Sequence, residues 1–236
     1  LYQGFGGDGE RSQGNQAEEW GQSNGDSETQ ERNNHSSTLT PFHSSIITFM
    51  PITSEIQIRP TSRAVFAEVD AVVMKCAYAA QNHFGRLCEE AVYENDVKAR
   101  LRAMDFKDVH TQVKLQLSHQ GFEKSYRLDL VVNGVLYELK ATDSLIPGHD
   151  AQTLNYAALL GLNRVKLINF GGRKVEGKLH CAPFAEIDRR HINVNRCEWQ
   201  PQSRACDKLA NWFERLVRSI GGFLRSKLYE EALVWF

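Results

Sequence analysis

Apolar positions first concentrate at residues 63–82, RAVFAEVDAVVMKCAYAAQN, where Ala and Val dominate and polar residues are few; the pattern predicts a largely buried helix. Gly85 interrupts, and residues 89–104 predict a second helix. Ala91, Val92, Val97 and Leu101 line its apolar side, while Glu90, Tyr93 and Glu94 share a flank. Residues 109–117, VHTQVKLQL, alternate apolar and polar as a half-buried strand does. After a turn at 118–121 comes YRLDLVVNGVLYELKA, residues 126–141, which reads as a hairpin because Asn133-Gly134 suits the two positive-φ positions of a type I′ turn. Pro147-Gly148 breaks the chain, residues 149–160 predict a helix, and 164–170, RVKLINF, predict a fourth strand ended by Gly171-Gly172. The core order is αβββαβ, a mixed α/β sandwich. Further on, Leu209, Trp212, Phe213, Leu216 and Ile220 form one face of an amphipathic helix expected to pack on the core, with a second helix after Gly221-Gly222.

The domain organisation follows from composition. Residues 1–45 are rich in Gly, Gln, Asn, Ser and Glu with few aliphatics, and such a tail buries too little apolar surface to order itself. Residues 46–62 are a connector containing Pro51 and Pro60, 63–180 form the core domain, and 181–236 form a helical extension. Net charge is −5 over residues 1–84 and +4 over 85–236, and the segment 164–196 carries eight basic and three acidic residues. This mildly basic core is compatible with a polyanionic partner. No apolar run reaches membrane-span length. Five cysteines without tight spacing fit a reducing, cytoplasmic compartment. The first residue is Leu and the final ALVWF reads as the middle of an element, so the sequence is expected to be a fragment.

The hairpin carries the candidate chemistry. A two-residue turn sets Val132 against Val135, Leu130 against Tyr137, and Asp129 against Glu138. One face then holds Leu128, Leu130, Val132, Val135, Tyr137 and Leu139. The other gathers Arg127, Asp129, Glu138 and Lys140 at its polar end. Like charges directly opposite destabilise a sheet. Two answers are open. A divalent cation, Mg²⁺ or Mn²⁺, suits hard carboxylate oxygens and neutralises their repulsion. Alternatively, Arg127 pairs with Asp129 and Lys140 with Glu138 in an ion-pair lattice.

Asp129 followed by Glu138-Leu139-Lys140 resembles the D…(D/E)xK signature of the PD-(D/E)XK nuclease superfamily. With EAVYE at 90–94, YRLDLVV, LYELKA, the P-x-H-x-A-Q run at 147–152, Tyr156 and LINFGG, residues 63–180 resemble its GxxExxY family. One departure is Leu87 where that family usually has Gly three residues before the Glu. The resemblance implies a nuclease, DNA being preferred to RNA as substrate. It implies that Asp129 and Glu138 hold a catalytic Mg²⁺ or Mn²⁺, with the Leu139 carbonyl as a further ligand. Glu90 would complete or orient the metal shell, and Lys140 would assist the attacking water. Gln152 and Tyr156 match a Q-x-x-x-Y helix motif and share a face with His149, which would touch phosphate or cap its helix. Arg173 and Lys174 would track the nucleic-acid backbone. The rival reading is a non-catalytic nucleic-acid- or protein-binding module on the same fold; a third is an enzyme acting on a small phosphate compound. His180, Cys181, His191, Cys197 and Cys206 fit no common zinc spacing, and Cys76 and Cys88 read as helix packing. GFGGDG near the start lacks the strand and helix a phosphate loop needs.

Overall fold

The computed structural model describes residues 52–185 and 187–235, so the predicted polar tail lies outside the described residues. Helix α1 (Arg63–Phe84) begins where the Ser62 side chain accepts a hydrogen bond from the Val65 amide, and it stops at Gly85, whose φ of 76° leaves the helical region. Helix α2 (Glu90–Ala103) follows. Strands β2 (Val109–His119), β3 (Phe122–Val132) and β4 (Val135–Lys140) form a meander after a short edge strand β1 (Ile52–Ser54). Helix α3 (Pro147–Leu160) crosses over to β5 (Arg164–Asn169), which lies parallel to β4. Strand β6 (Glu176–Cys181), helix α4 (Arg204–Ile220) and helix α5 (Ser226–Trp235) complete the order. The six strands lie in sequence order, and every neighbouring pair but β4–β5 is antiparallel. This mixed sheet with helices is the expected α/β architecture.

Alternation along the central strands builds two cores. Leu130, Val132, Val135, Tyr137 and Leu139 pack with Phe66, Val73, Tyr93 and Leu101 of α1 and α2. Val131 and Leu136 belong to the other cluster, with Tyr156 to Leu159 of α3 and residues of α4 and α5. Burial of each such large side chain contributes about 1.5–3 kcal/mol. The hairpin turn is as the sequence dictates: Asn133 and Gly134 have φ of 47° and 79°, and Leu130 pairs with Tyr137.

Several expectations are corrected. Leu128 joins the α3 side rather than the α1 side, as do Val113 and Leu115 of β2, although Leu130 and Val109 lie with α1 and α2. The switch falls at Gln112, which has φ 54° and stands opposite Asp129 at a break in the β2–β3 ladder. Helix α1 buries one face and exposes Ala64, Val65, Ala67, Ala71 and Tyr78, because alanine favours helix and costs little in water. Strand β1 is only three residues long, too short to show a period of two. Strand β6 buries none of its six positions, so no apolar alternation marks it; it forms because the edge of β5 needs backbone partners. In α4, Leu216 and Ile220 pack on the core, but Leu209 at the other end of the stripe is exposed.

Candidate active site

Glu90 enters at the first turn of α2. The loop before it is held by Tyr93, whose hydroxyl donates to the Gly85 carbonyl at 2.7 Å and accepts from the Cys88 amide at 3.2 Å. The Tyr93 ring stacks on Phe170 at 4.5 Å. Four residues along α2, one turn on, Glu94 is buried and accepts a 2.6 Å hydrogen bond from the Gln112 amide group. Asp129 is 8% exposed and accepts from the Leu139 amide at 2.8 Å, so its carboxylate bonds the β4 backbone just beyond the last β3–β4 pair. Glu138 is fully buried.

Lys140 is the cation of the cluster. Its Nζ donates to Glu138 Oε1 at 2.7 Å and to the Leu139 carbonyl, and lies 3.7 Å from both Asp129 and Glu90. The sequence alternative in which Arg127 serves Asp129 is not what forms: Arg127 is exposed and stands opposite Lys114 on β2. A strap holds Lys140 in place. Asn169 accepts from the Thr142 and Gly171 amides and donates to the Thr142 carbonyl at 2.8 Å, and a Cβ on Gly171 would lie 2.4 Å from that carbonyl oxygen.

The electrostatics follow from crowding acids in a dry site. Burial pushes Glu90 up to about 7, against the pull of Lys140 and with the help of Asp129 and Glu94. Burial likewise raises Glu94. Asp129 and Glu138 are both raised by burial, Glu138 further by the charge of Asp129. Burial draws the Lys140 ammonium down, but Glu138, Asp129 and Glu90 outweigh it and leave it raised. Three carboxyl groups, Glu90, Asp129 and Glu138, thus share one ammonium. In this state, proton retention and Lys140 relieve the opposition of Asp129 and Glu138.

The donor set suits a hard divalent cation. Buried Glu138 Oε2 meets no donor among the described residues and shares a proton only with Asp129, and such an atom is costly unless something meets it. Asp129, Glu138, Glu90 and the Leu139 carbonyl offer oxygen only, the preference of Mg²⁺ and Mn²⁺. Among the described residues no three side chains stand as a ready-made cage; the Lys140 ammonium binds between the acids instead.

Gln152 and Tyr156 are joined, Gln152 donating to the Tyr156 hydroxyl at 3.1 Å. Burial raises Tyr156, and the charge of Glu138 raises it further, so this pair neighbours the carboxylates. His149 Nδ1 accepts from the Ile146 amide at 3.3 Å, closing the first turn of α3, the capping alternative of the two sequence readings. Arg173 and Lys174 are exposed in the β5–β6 loop, which follows the end of β5 that pairs with Lys140, and they are not joined to the acids. Sequence reasoning missed Glu94 as a site residue, although its spacing of four from Glu90 puts both on one helix face. Gln112 carried no motif signal, and Asn169 lay within LINFGG without a role of its own.

Residues 67–180 match the family model of the PD-(D/E)XK nuclease superfamily. The match supports a likeness of that segment to the superfamily, whose nucleases typically use divalent metals and act on nucleic acids. No curated protein and no solved structure is matched by the chain. Among the described residues no helix is long and apolar enough to cross a membrane.

Proposed function

We propose that the chain is a metal-dependent nuclease that hydrolyses phosphodiester bonds, in DNA rather than RNA, within the GxxExxY branch of the superfamily. The observation that carries this reading is buried Glu138 Oε2, which meets no donor among the described residues and faces Asp129 in a cluster of raised carboxyls. Asp129, Glu138, the Leu139 carbonyl and Glu90 would hold Mg²⁺ or Mn²⁺. When bound, such a cation acidifies a water and neutralises charge on the phosphoryl group. Lys140 supplies a fixed positive charge where negative charge builds on the phosphate, and it orients the attacking water. Tyr156, held by Gln152, positions the substrate phosphate against Lys140. Arg173 and Lys174 meet the backbone beyond, and His149 lies at the first turn of the helix that carries Gln152. The domain would span residues 63–180, between a polar tail and connector and the 181–236 extension. Five free thiols agree with a cytoplasmic location.

The test is calorimetric titration of Mn²⁺ into wild type and Asp129→Asn, each then assayed on labelled single- and double-stranded DNA and RNA. Wild type should bind and cut, and Asp129→Asn should lose both. The second reading, a non-catalytic binding module, draws on the Lys140 ammonium already bridging the acids. It prevails if wild type takes no Mn²⁺ and cuts nothing.

A further inference from the structure

A cleft of about 270 Å³ lies between the core and the C-terminal extension. Tyr126, Gln152 and Tyr156 line it from β3 and α3; Arg225, Lys227 and Leu228 line it from the start of α5. The extension lies beyond the segment that matches the superfamily. It is fastened here by Asn155, whose side chain accepts from the Arg225 amide at 3.0 Å and also bonds the Tyr126 hydroxyl. Lys124 closes one side through a 2.6 Å ion pair with Glu231.

The chemistry of this cleft suits a nucleic-acid strand. Arg225 and Lys227 are exposed and form no ion pair with another described residue, although the Lys227 charge also acts on Glu231 of the cleft, so Arg225 is the freer cation for phosphate. The half-buried Tyr126 ring meets the buried Tyr156 ring edge to face at 5.8 Å, and Tyr126 presents the aromatic surface of the cleft. Aromatic walls with backbone-tracking cations are the general solution for single strands. Gln152 and Tyr156 belong both to this cleft and to the margin of the carboxylate cluster, so a strand lying here leads to the acids.

We propose that the C-terminal extension completes a single-strand binding cleft, with Arg225 and Lys227 contacting phosphates next to the bond that is cut. This rests on the nuclease reading and adds to it the form of the substrate and a role for residues outside the superfamily segment. Binding is read separately from cleavage, by fluorescence anisotropy in EDTA. The probes are a labelled single-stranded oligothymidylate of about ten nucleotides and a duplex of equal length. The variants are Arg225→Glu with Lys227→Glu, and the milder Arg225→Gln with Lys227→Gln, each checked for an unchanged melting temperature.

Wild type should prefer the single strand. The Gln pair should weaken its binding about tenfold near physiological salt and make the log-log salt slope shallower by about 1.4, two phosphate contacts at 0.7 each. The Glu pair should weaken it further. Wild type that cuts with Mn²⁺ while both variants keep its affinity and slope overturns the cleft alone. So does wild type that cuts but binds no oligothymidylate, or prefers the duplex. Wild type that neither binds nor cuts overturns the cleft and the nuclease reading together.

Discussion

Gln112 holds Glu94 by a 2.6 Å hydrogen bond from a backbone in the left-handed region, φ 54°, directly across β2–β3 from Asp129. A non-glycine residue in that conformation costs on the order of 1–3 kcal/mol and persists where its surroundings require it. Here the kink turns the sheet so that Leu128 and Leu130 face opposite helical layers, with Asp129 between them. The Gln112 side chain meanwhile serves a buried carboxylate.

Replacing Gln112 by Ala should therefore cost about 1.5–3 kcal/mol, the range for hydrogen bonds to charged groups. It should also raise Glu94 further, since that bond lowers it. Urea unfolding measures the first effect. The second is read from the side-chain carboxyl NMR titration of Glu94, which should move to higher pH. Gln112→Gly, which relieves the backbone strain, should recover part of the stability but none of the pH shift.

Stability of the metal-free protein should fall as pH rises from about 4.5 to about 7 through Glu90. The folded form keeps its proton across that interval while the unfolded form has released it, so the native state binds more protons and the slope is negative. Glu138, Asp129 and Glu94 are raised too and act in the same direction. Mn²⁺ favours the ionised acids, so its stabilising effect should be larger at pH 8 than at pH 5. Melting curves at both pH values, with EDTA and with Mn²⁺, check this; equal Mn²⁺ shifts would contradict it.

Lys140→Met should remove activity and also destabilise the metal-free protein. Deleting one partner of a buried ion pair typically costs about 3–5 kcal/mol, because the remaining charge is left buried. Proton uptake by Glu138 reduces that cost at low pH, so the penalty should grow with pH. Chemical denaturation of wild type and variant across pH measures it. A pH-independent difference would point to lost packing instead.

The strap beyond Lys140 predicts two further losses. Asn169→Ala leaves the Thr142 and Gly171 backbone groups without their partner and should cost about 1–3 kcal/mol. Gly171→Ala places a Cβ 2.4 Å from the Thr142 carbonyl oxygen and must move that backbone, an overpacking cost of about 1–3 kcal/mol. Urea unfolding ranks both. Neither change removes a carboxylate, so both variants should retain Mn²⁺ binding while cutting more slowly.

Local rules along the chain determined much of this protein. The 3.6-residue and two-residue periodicities marked the helices and the three strands of the meander. Asn133-Gly134 set the hairpin register and so brought Asp129 and Glu138 together, because a type I′ turn leaves no freedom over which residues meet. Glu90, Lys140, Gln152 and Tyr156 were legible as a motif. Contacts distant in sequence decided the rest. Which cation served the acids was decided by the buried position of Lys140, with Arg127 left in solvent. Glu94 entered the site because β2 kinks beneath it, and a left-handed Gln has no signature in composition. Asn169 became structural only when β5 was laid parallel to β4. Strand β6 and the α5 wall of the cleft exist because a sheet edge and a sheet face must be covered. That requirement comes from the assembled fold, where burial and desolvation are fixed jointly by segments remote from one another in the chain.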